Sequence, residues 1–145
     1  MPIQEDPTLI STFYVGGTLM GVNAMSVQEV IQLSNLTPVH HASDYIAGII
    51  NLRGQIVTVV DLKRRLGISL LDGQPARDIF IVSCQGENIG LLVDDAADVI
   101  PADMDRLSPL PANMSMNQQR FLKGICQGEI RPIAILDIKS ILSVE

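Results

Sequence analysis

The chain has 145 residues, a formal charge of −6, 47% apolar residues, only 3% aromatics and no tryptophan. That length suits one domain or two small halves sharing a core, and the core has to be built from Ile, Val, Leu and Ala. The acidic balance and lack of aromatics argue against a phosphate-tracking or base-stacking role, so no nucleic acid is expected as a partner.

Residues Met1 to Thr8 carry two prolines and read as a loose tail. Ser11 to Val15 reads as a strand, Gly16-Gly17 as a hairpin turn and Thr18 to Asn23 as the return strand. Met25 to Leu33 holds three β-branched residues, which favours strand over helix. Ser34 to Ser43 is a loop carrying His40-His41. These histidines have no cysteine or carboxylate at ligand spacing, and no metal is expected. Asp44 to Ala47 is expected to form a single helical turn.

The stretch Gly48 to Leu66, GIINLRGQIVTVVDLKRRL, reads as strand, tight turn, strand and short helix. Arg53-Gly54 makes the turn. Ile56 to Val60 is a β-branched run suited to burial on both faces. Asp61 stands at a helix N-cap, Lys63, Arg64 and Arg65 fall toward the helix end where cations suit the dipole, and Gly67 stops it. Asn51 and Arg53 are the odd residues, polar and charged at a hairpin tip inside an apolar block. Arg53 could pair with Glu29 and hold the turn in register, since guanidinium and carboxylate form a rigid fork.

Ile68 to Ala76 is a connector. Asp78 to Gln85 and Ile89 to Val93 read as a hairpin turning at Gly86-Glu87-Asn88. Asp94, Asp95 and Asp98 form an acidic patch, read as a solvated strand end. Pro101 to Gln119 lacks periodicity and reads as loop with at most a turn of helix. Phe121 to Gln127 and Ile130 to Leu136 are two more strands, and Asp137 to Leu142 a terminal helix. Cys84 and Cys126 have no CxxC spacing and read as free thiols of a reducing compartment. No apolar run is long enough to span a bilayer, and no direct membrane contact is expected.

The chain also repeats itself. The 19 residues from Gly48 align without gaps to GICQGEIRPIAILDIKSIL from Gly124, matching Gly48 to Gly124 and Asp61-Leu62-Lys63 to Asp137-Ile138-Lys139. Upstream, Gly21-Val22 leading to Val27-Gln28-Glu29-Val30 corresponds to Gly90-Leu91 leading to Ala96-Ala97-Asp98-Val99. Each half is a hairpin, a connecting strand, a linker, a second hairpin and a helix. Five short strands per half suit a small closed barrel. The expected fold is mainly β: two five-stranded barrels sharing an apolar core, with short helices. The approximate halves are 9–68 and 77–143 of one 1–145 domain, with strands free to cross between them. One place in the repeat differs: Asn51-Leu52-Arg53 becomes Gln127-Gly128-Glu129.

Catalytic motifs are missing: there is no GxSxG, no HExxH and no phosphate-cradling glycine loop. The chain reads as a binding module rather than an enzyme, with no cofactor. Two barrels side by side leave a groove that could receive a partner helix.

Gly48-Ile-Ile-Asn-Leu-Arg-Gly54, followed by Val57 and Val59-Val60-Asp61-Leu62, resembles the signature of the CheW family of chemotaxis coupling proteins. Val27-Gln28-Glu29-Val30 and Ile89-Gly90-Leu91-Leu92-Val93-Asp94 with Asp98-Val99 resemble that family's flanking segments, in family order. Thr58 departs from the proline often found there. The resemblance implies two SH3-like barrels and a non-catalytic adaptor between the cytoplasmic hairpin of methyl-accepting chemoreceptors and the regulatory domain of a CheA-type histidine kinase. Other CheW-like domains in array rings are a further partner class. It implies that Val27, Gly48 and Val99 lie on or near the receptor-facing surface. Glu29, Asn51, Arg53 and Gly54 would form the turn and its brace. The protein would be cytoplasmic, recruited to membrane arrays through its partners. A coupling protein of a twitching, gliding or second-messenger pathway and an unrelated two-barrel interaction module are the alternatives.

Overall fold

The computed structural model describes residues 8–128 and 130–142. Residues 1–7 of the expected Met1 to Thr8 tail, Glu129 of the second repeat and the last three residues lie outside them, and Thr8 belongs to a strand. Strand β1 spans Thr8–Val15 and turns through Gly16-Gly17 into β2 (Thr18–Asn23). A 3-10 turn over Ala24–Ser26, capped by the Asn23 side chain, leads into β3 (Val27–Gln32). The central stretch gives β4 (Ile46–Leu52), β5 (Gln55–Asp61) and helix α1 (Leu62–Leu66). The second half repeats the order with β6 (Asp78–Cys84), β7 (Glu87–Val93) and β8 (Asp95–Ala102). Helix α2 (Met116–Gln119), β9 (Leu122–Gln127), β10 (Pro132–Leu136) and α3 (Ile138–Leu142) follow.

Several expected boundaries shift. Strand β1 starts at Thr8 because its edge pairs with the far end of β8, Thr8 opposite Ala102, which also carries β8 past Pro101. Asp44 to Ala47 is not helical. A turn closed by the Ile46 N–H on the Ser43 carbonyl at 3.0 Å leads directly into β4. Strand β10 begins at Pro132, so Ile130 stays outside it, 91% exposed.

The strands form two five-stranded sheets, in the orders β3-β6-β7-β5-β4 and β8-β1-β2-β10-β9. Each takes strands from both halves of the sequence. The joins are parallel, β5 beside β7 with Val59 opposite Gly90, and β10 beside β2 with Ile135 opposite Gly21. These four residues occupy equivalent repeat positions, so the halves are exchanged symmetrically. Each sheet is rolled up by a single bridge. Thr37, after β3, exchanges hydrogen bonds of 2.8 and 2.9 Å with Ile49 on β4. Ser108, after β8, does the same with Ile125 on β9. Closure satisfies edge groups that an open sheet would leave bare. β3 to β7 make barrel one; β1, β2 and β8 to β10 make barrel two.

The closing segments explain two glycines. A β-carbon on Gly48 would collide with the Thr37 carbonyl oxygen, and one on Gly124 would lie 2.9 Å from the Ser108 carbonyl oxygen. The register slips at the same place in both hairpins, between Ile46 and Gly48 and between Leu122 and Gly124. A bulge there bends the strand where the barrel turns.

Three apolar clusters fill the interior. Ile50, Val57, Val59, Ile79, Ile81 and Leu92 lie within barrel one, and Ile10, Cys126, Ile133 and Ile135 within barrel two. The largest cluster joins the barrels and includes Phe13, Val60, Leu66, Phe80, Leu91, Phe121 and Leu136. Phe13 and Phe80 meet there, one from each barrel, with ring centroids 4.8 Å apart. Two cations of α1 are drawn into this frame rather than left at a solvated helix end. Lys63 is buried and bonds the Gln74 carbonyl at 2.8 Å. Arg65 is buried between the Tyr45 and Phe121 rings, and its Nε donates to the Ile141 carbonyl at 2.9 Å.

Candidate functional site

The tip of the β4–β5 hairpin is built by its own sequence. Arg53 and Gly54 both have positive φ, +51° and +86°. Two left-handed residues give a turn whose twist matches the flanking strands. Asn51 fastens it: its Oδ1 accepts the Gly54 N–H at 2.9 Å. Asn51 is thus a turn-closing residue, and Gly54 supplies a conformation other residues resist.

Arg53 reaches from this tip to β3, on the opposite edge of the same sheet. Its Nη2 pairs with Glu29 Oε2, and Nη1 lies 3.4 Å from Oε1, a two-point fork. The pair is exposed on the arginine side, with 73% of that side chain open to solvent. Glu29, through the hydrogen bond and then its charge, raises the arginine's pKa further. Exposed pairs add little to stability. The fork orients a cation at the mouth of barrel one more than it holds the barrel together.

The remaining expected site residues separate by environment. Val27 is half-buried and packs on the shared core. Gly48 is buried beneath the closing segment, so its local role is packing. Val99 belongs to barrel two, where it faces Ser11 and is 55% exposed. Leu9, on the neighbouring strand, is 52% exposed, and Val30 on β3 is 44% exposed. Leu9 lies outside the matched motifs, and Val30 belongs to one but is not among the expected site residues. Their signal is an apolar residue at the outward phase of a strand. Unlike the turn and its brace, Val27 and Val99 are placed in different barrels.

Other candidates resolve simply. His40 and His41 are exposed. Among the described residues no three His, Cys, Asp or Glu side chains are grouped to hold a metal ion. Asp94 is not part of a solvated patch. It is 2% exposed, pairs with Lys63 at 3.2 Å and accepts the Gly16 and Gln74 N–H groups at 3.0 and 3.1 Å. No helix among the described residues is long and apolar enough to cross a membrane.

Residues 10–145 match the CheW-like domain family. The chain is 31% identical to the probable chemotaxis protein CheW of Rhizobium etli over 97% of this chain and 90% of that one. It is 30% identical to the chemotaxis protein CheW of Thermotoga maritima over 92% of this chain and 86% of that one. The crystal structure of the scaffolding protein TtCheW from Thermoanaerobacter tengcongensis has the same fold. The TM-score is 0.84 at 33% identity, over 96% of this chain and 94% of that one.

Proposed function

The chain belongs to the CheW-like family, and from that premise we propose that it is an adaptor of a chemotaxis array, coupling chemoreceptors to a CheA-type histidine kinase. Proteins of this family are scaffolds, and the chain is not an enzyme. The finer reading is that the cytoplasmic hairpin of a methyl-accepting receptor packs on the apolar surface bearing Val27 and Val99. The kinase's regulatory domain docks elsewhere on a barrel, and neighbouring CheW-like domains extend the array. The protein works in the cytoplasm and reaches the membrane through its receptors.

One observation supports the site reading most. Arg53 keeps a left-handed backbone and an exposed side chain, yet its guanidinium is held in a two-point fork by Glu29. A residue with a β-carbon is disfavoured in that region, so a cation maintained there points to use of the side chain. Exposed Leu9, Val30 and Val99 provide apolar surface for a helical partner.

The test is a pull-down of the purified protein with two baits, a receptor cytoplasmic hairpin and a CheA-type regulatory domain from the same cell. Capture by both, weakened by Arg53→Ala or Val27→Ala, is the expected result. Capture by neither, from protein that is folded by circular dichroism, would overturn the reading.

A further inference from the structure

Residues 8–66 and 78–142 are two halves that complete each other. Among the described residues β3 pairs only with β6, which lies in the second half, and β8 only with β1, which lies in the first. The ladders β2–β10 and β5–β7 also run between the halves. Residues 67–77 are the covalent link between them. The same cross-half pairings form whether the two pieces belong to one chain or to two.

That link is anchored at both ends. Up to Ile68 it belongs to the first half: the Ile68 N–H bonds the Lys63 carbonyl at 2.9 Å, and the side chain packs on the shared core. From Gln74 it belongs to the second. The Gln74 N–H donates to Asp94 Oδ2 at 3.1 Å and the Arg77 N–H to the Val93 carbonyl at 3.0 Å. The turn between the anchors is closed by bonds within itself, from the Asp72 N–H to the Ser69 carbonyl at 3.0 Å and from the Leu71 N–H to Ser69 Oγ at 3.3 Å. Its tip carries Leu70 and Leu71, 51% and 93% exposed. Turn tips ordinarily hold Gly, Pro, Asn, Asp or Ser. Two adjacent leucines there keep apolar surface in water that burial would stabilise. Opened out, the five residues from Ser69 to Gly73 span about 17 Å.

We propose that the turn from Ser69 to Gly73 is a hinge through which two copies of the chain exchange halves. The product is a dimer of two complete two-barrel bodies, each made of residues 8–66 of one chain and 78–142 of the other. The opened connectors run antiparallel about the two-fold axis, and Leu70 and Leu71 of one cover those of the other. Strand pairing selects the partner: β6 and β8 are what β3 and β1 pair with, and a second copy of the chain supplies them in register. The dimer repeats every native ladder, so its balance with the monomer is set by the turn, the leucine contact and protein concentration. It carries two copies of the Arg53 hairpin in one particle and is therefore bivalent. The inference stands on the topology and the connector, independently of the receptor and kinase assignments.

The experiment unfolds the full-length protein in urea, refolds it at about 0.5 mM and sizes it by gel filtration with light scattering. A second peak is expected at twice the 15.7 kDa mass of the chain. It should persist after dilution, because return to the monomer requires unfolding. Leu70→Ser with Leu71→Ser should lower the dimer fraction by about fivefold while leaving the monomer's melting temperature unchanged. A disulfide distinguishes exchange from side-by-side contact. Leu9 and Pro101 face each other across β1–β8, one in each half. Leu9→Cys with Pro101→Cys, in a chain also carrying Cys84→Ala and Cys126→Ala, links the halves on oxidation. The isolated dimer, oxidised, should run as two covalently joined chains on a non-reducing denaturing gel. A refolded native chain that is wholly monomeric, an oxidised dimer that runs as single chains, or a dimer fraction unchanged by the leucine substitutions would overturn the proposal.

Discussion

Lys63 and Asp94 meet at 3.2 Å in the interior, with 8% and 2% of their side chains exposed, and tie the two halves of the duplicated chain together. The carboxylate also holds the β1–β2 turn through the Gly16 N–H and the connector through the Gln74 N–H. One aspartate thus fixes a hairpin of barrel two, the helix that follows β5 and the segment that joins the halves.

Removing that carboxylate leaves an ammonium buried without its partner, together with two backbone donors. Asp94→Ala is expected to lower stability by about 3–5 kcal/mol. Asp95→Ala, on a half-buried neighbour, should change it far less. Urea denaturation of both variants checks this, and equal midpoints would contradict it.

Gly48→Ala is expected to cost about 1–3 kcal/mol. The new methyl group meets the Thr37 carbonyl, and φ is +153° at this residue. Partner binding should fall together with the melting temperature. A variant that melts like the native protein but loses binding would make Gly48 a contact residue instead.

Burial, and then the Asp103 carboxylate, raise the pKa of the Cys126 thiol. The folded protein therefore holds this proton more tightly than the unfolded chain. The associated stability is complete below the ordinary thiol value, about 8.5, and is lost as pH rises above it. Stability should fall as pH rises above about 8.5, and Cys126→Ala should flatten that fall. At neutral pH, iodoacetamide should modify half-buried Cys84 before Cys126. Equal rates would contradict the placement of Cys126 in the core.

The exchange of strands predicts that neither half closes a barrel alone. Cleavage at Leu71, which is 93% exposed in the connector, should give fragments that are unfolded separately and regain β-structure when mixed. A far-ultraviolet circular-dichroism spectrum of each fragment and of the mixture decides it. A fragment that melts cooperatively alone would contradict the exchanged topology.

Much of this was legible in the chain. Alternating apolar residues between Gly-containing turns mark the hairpins, and the Gly48 and Gly124 alignment marks the duplication. The brace between Arg53 and Glu29 follows from the chemistry of two side chains that nothing else in their strands explains. The exchange of strands does not follow, because a barrel closed within one half and one shared between halves bury the same faces. Asp94 was equally hidden. In sequence it is one of three nearby aspartates, and only the fold brings Lys63 and two backbone N–H groups to it.

The most direct test of the adaptor role is receptor-dependent kinase activity, reconstituted from receptor-bearing membranes, a CheA-type kinase and this protein. Adding the folded chain should change the kinase's phosphorylation rate by roughly tenfold, only when receptors are present. Arg53→Ala protein should lose most of that effect while shifting its melting temperature by less than about 4 °C. A folded native protein that leaves the kinase rate independent of the receptors would contradict the account.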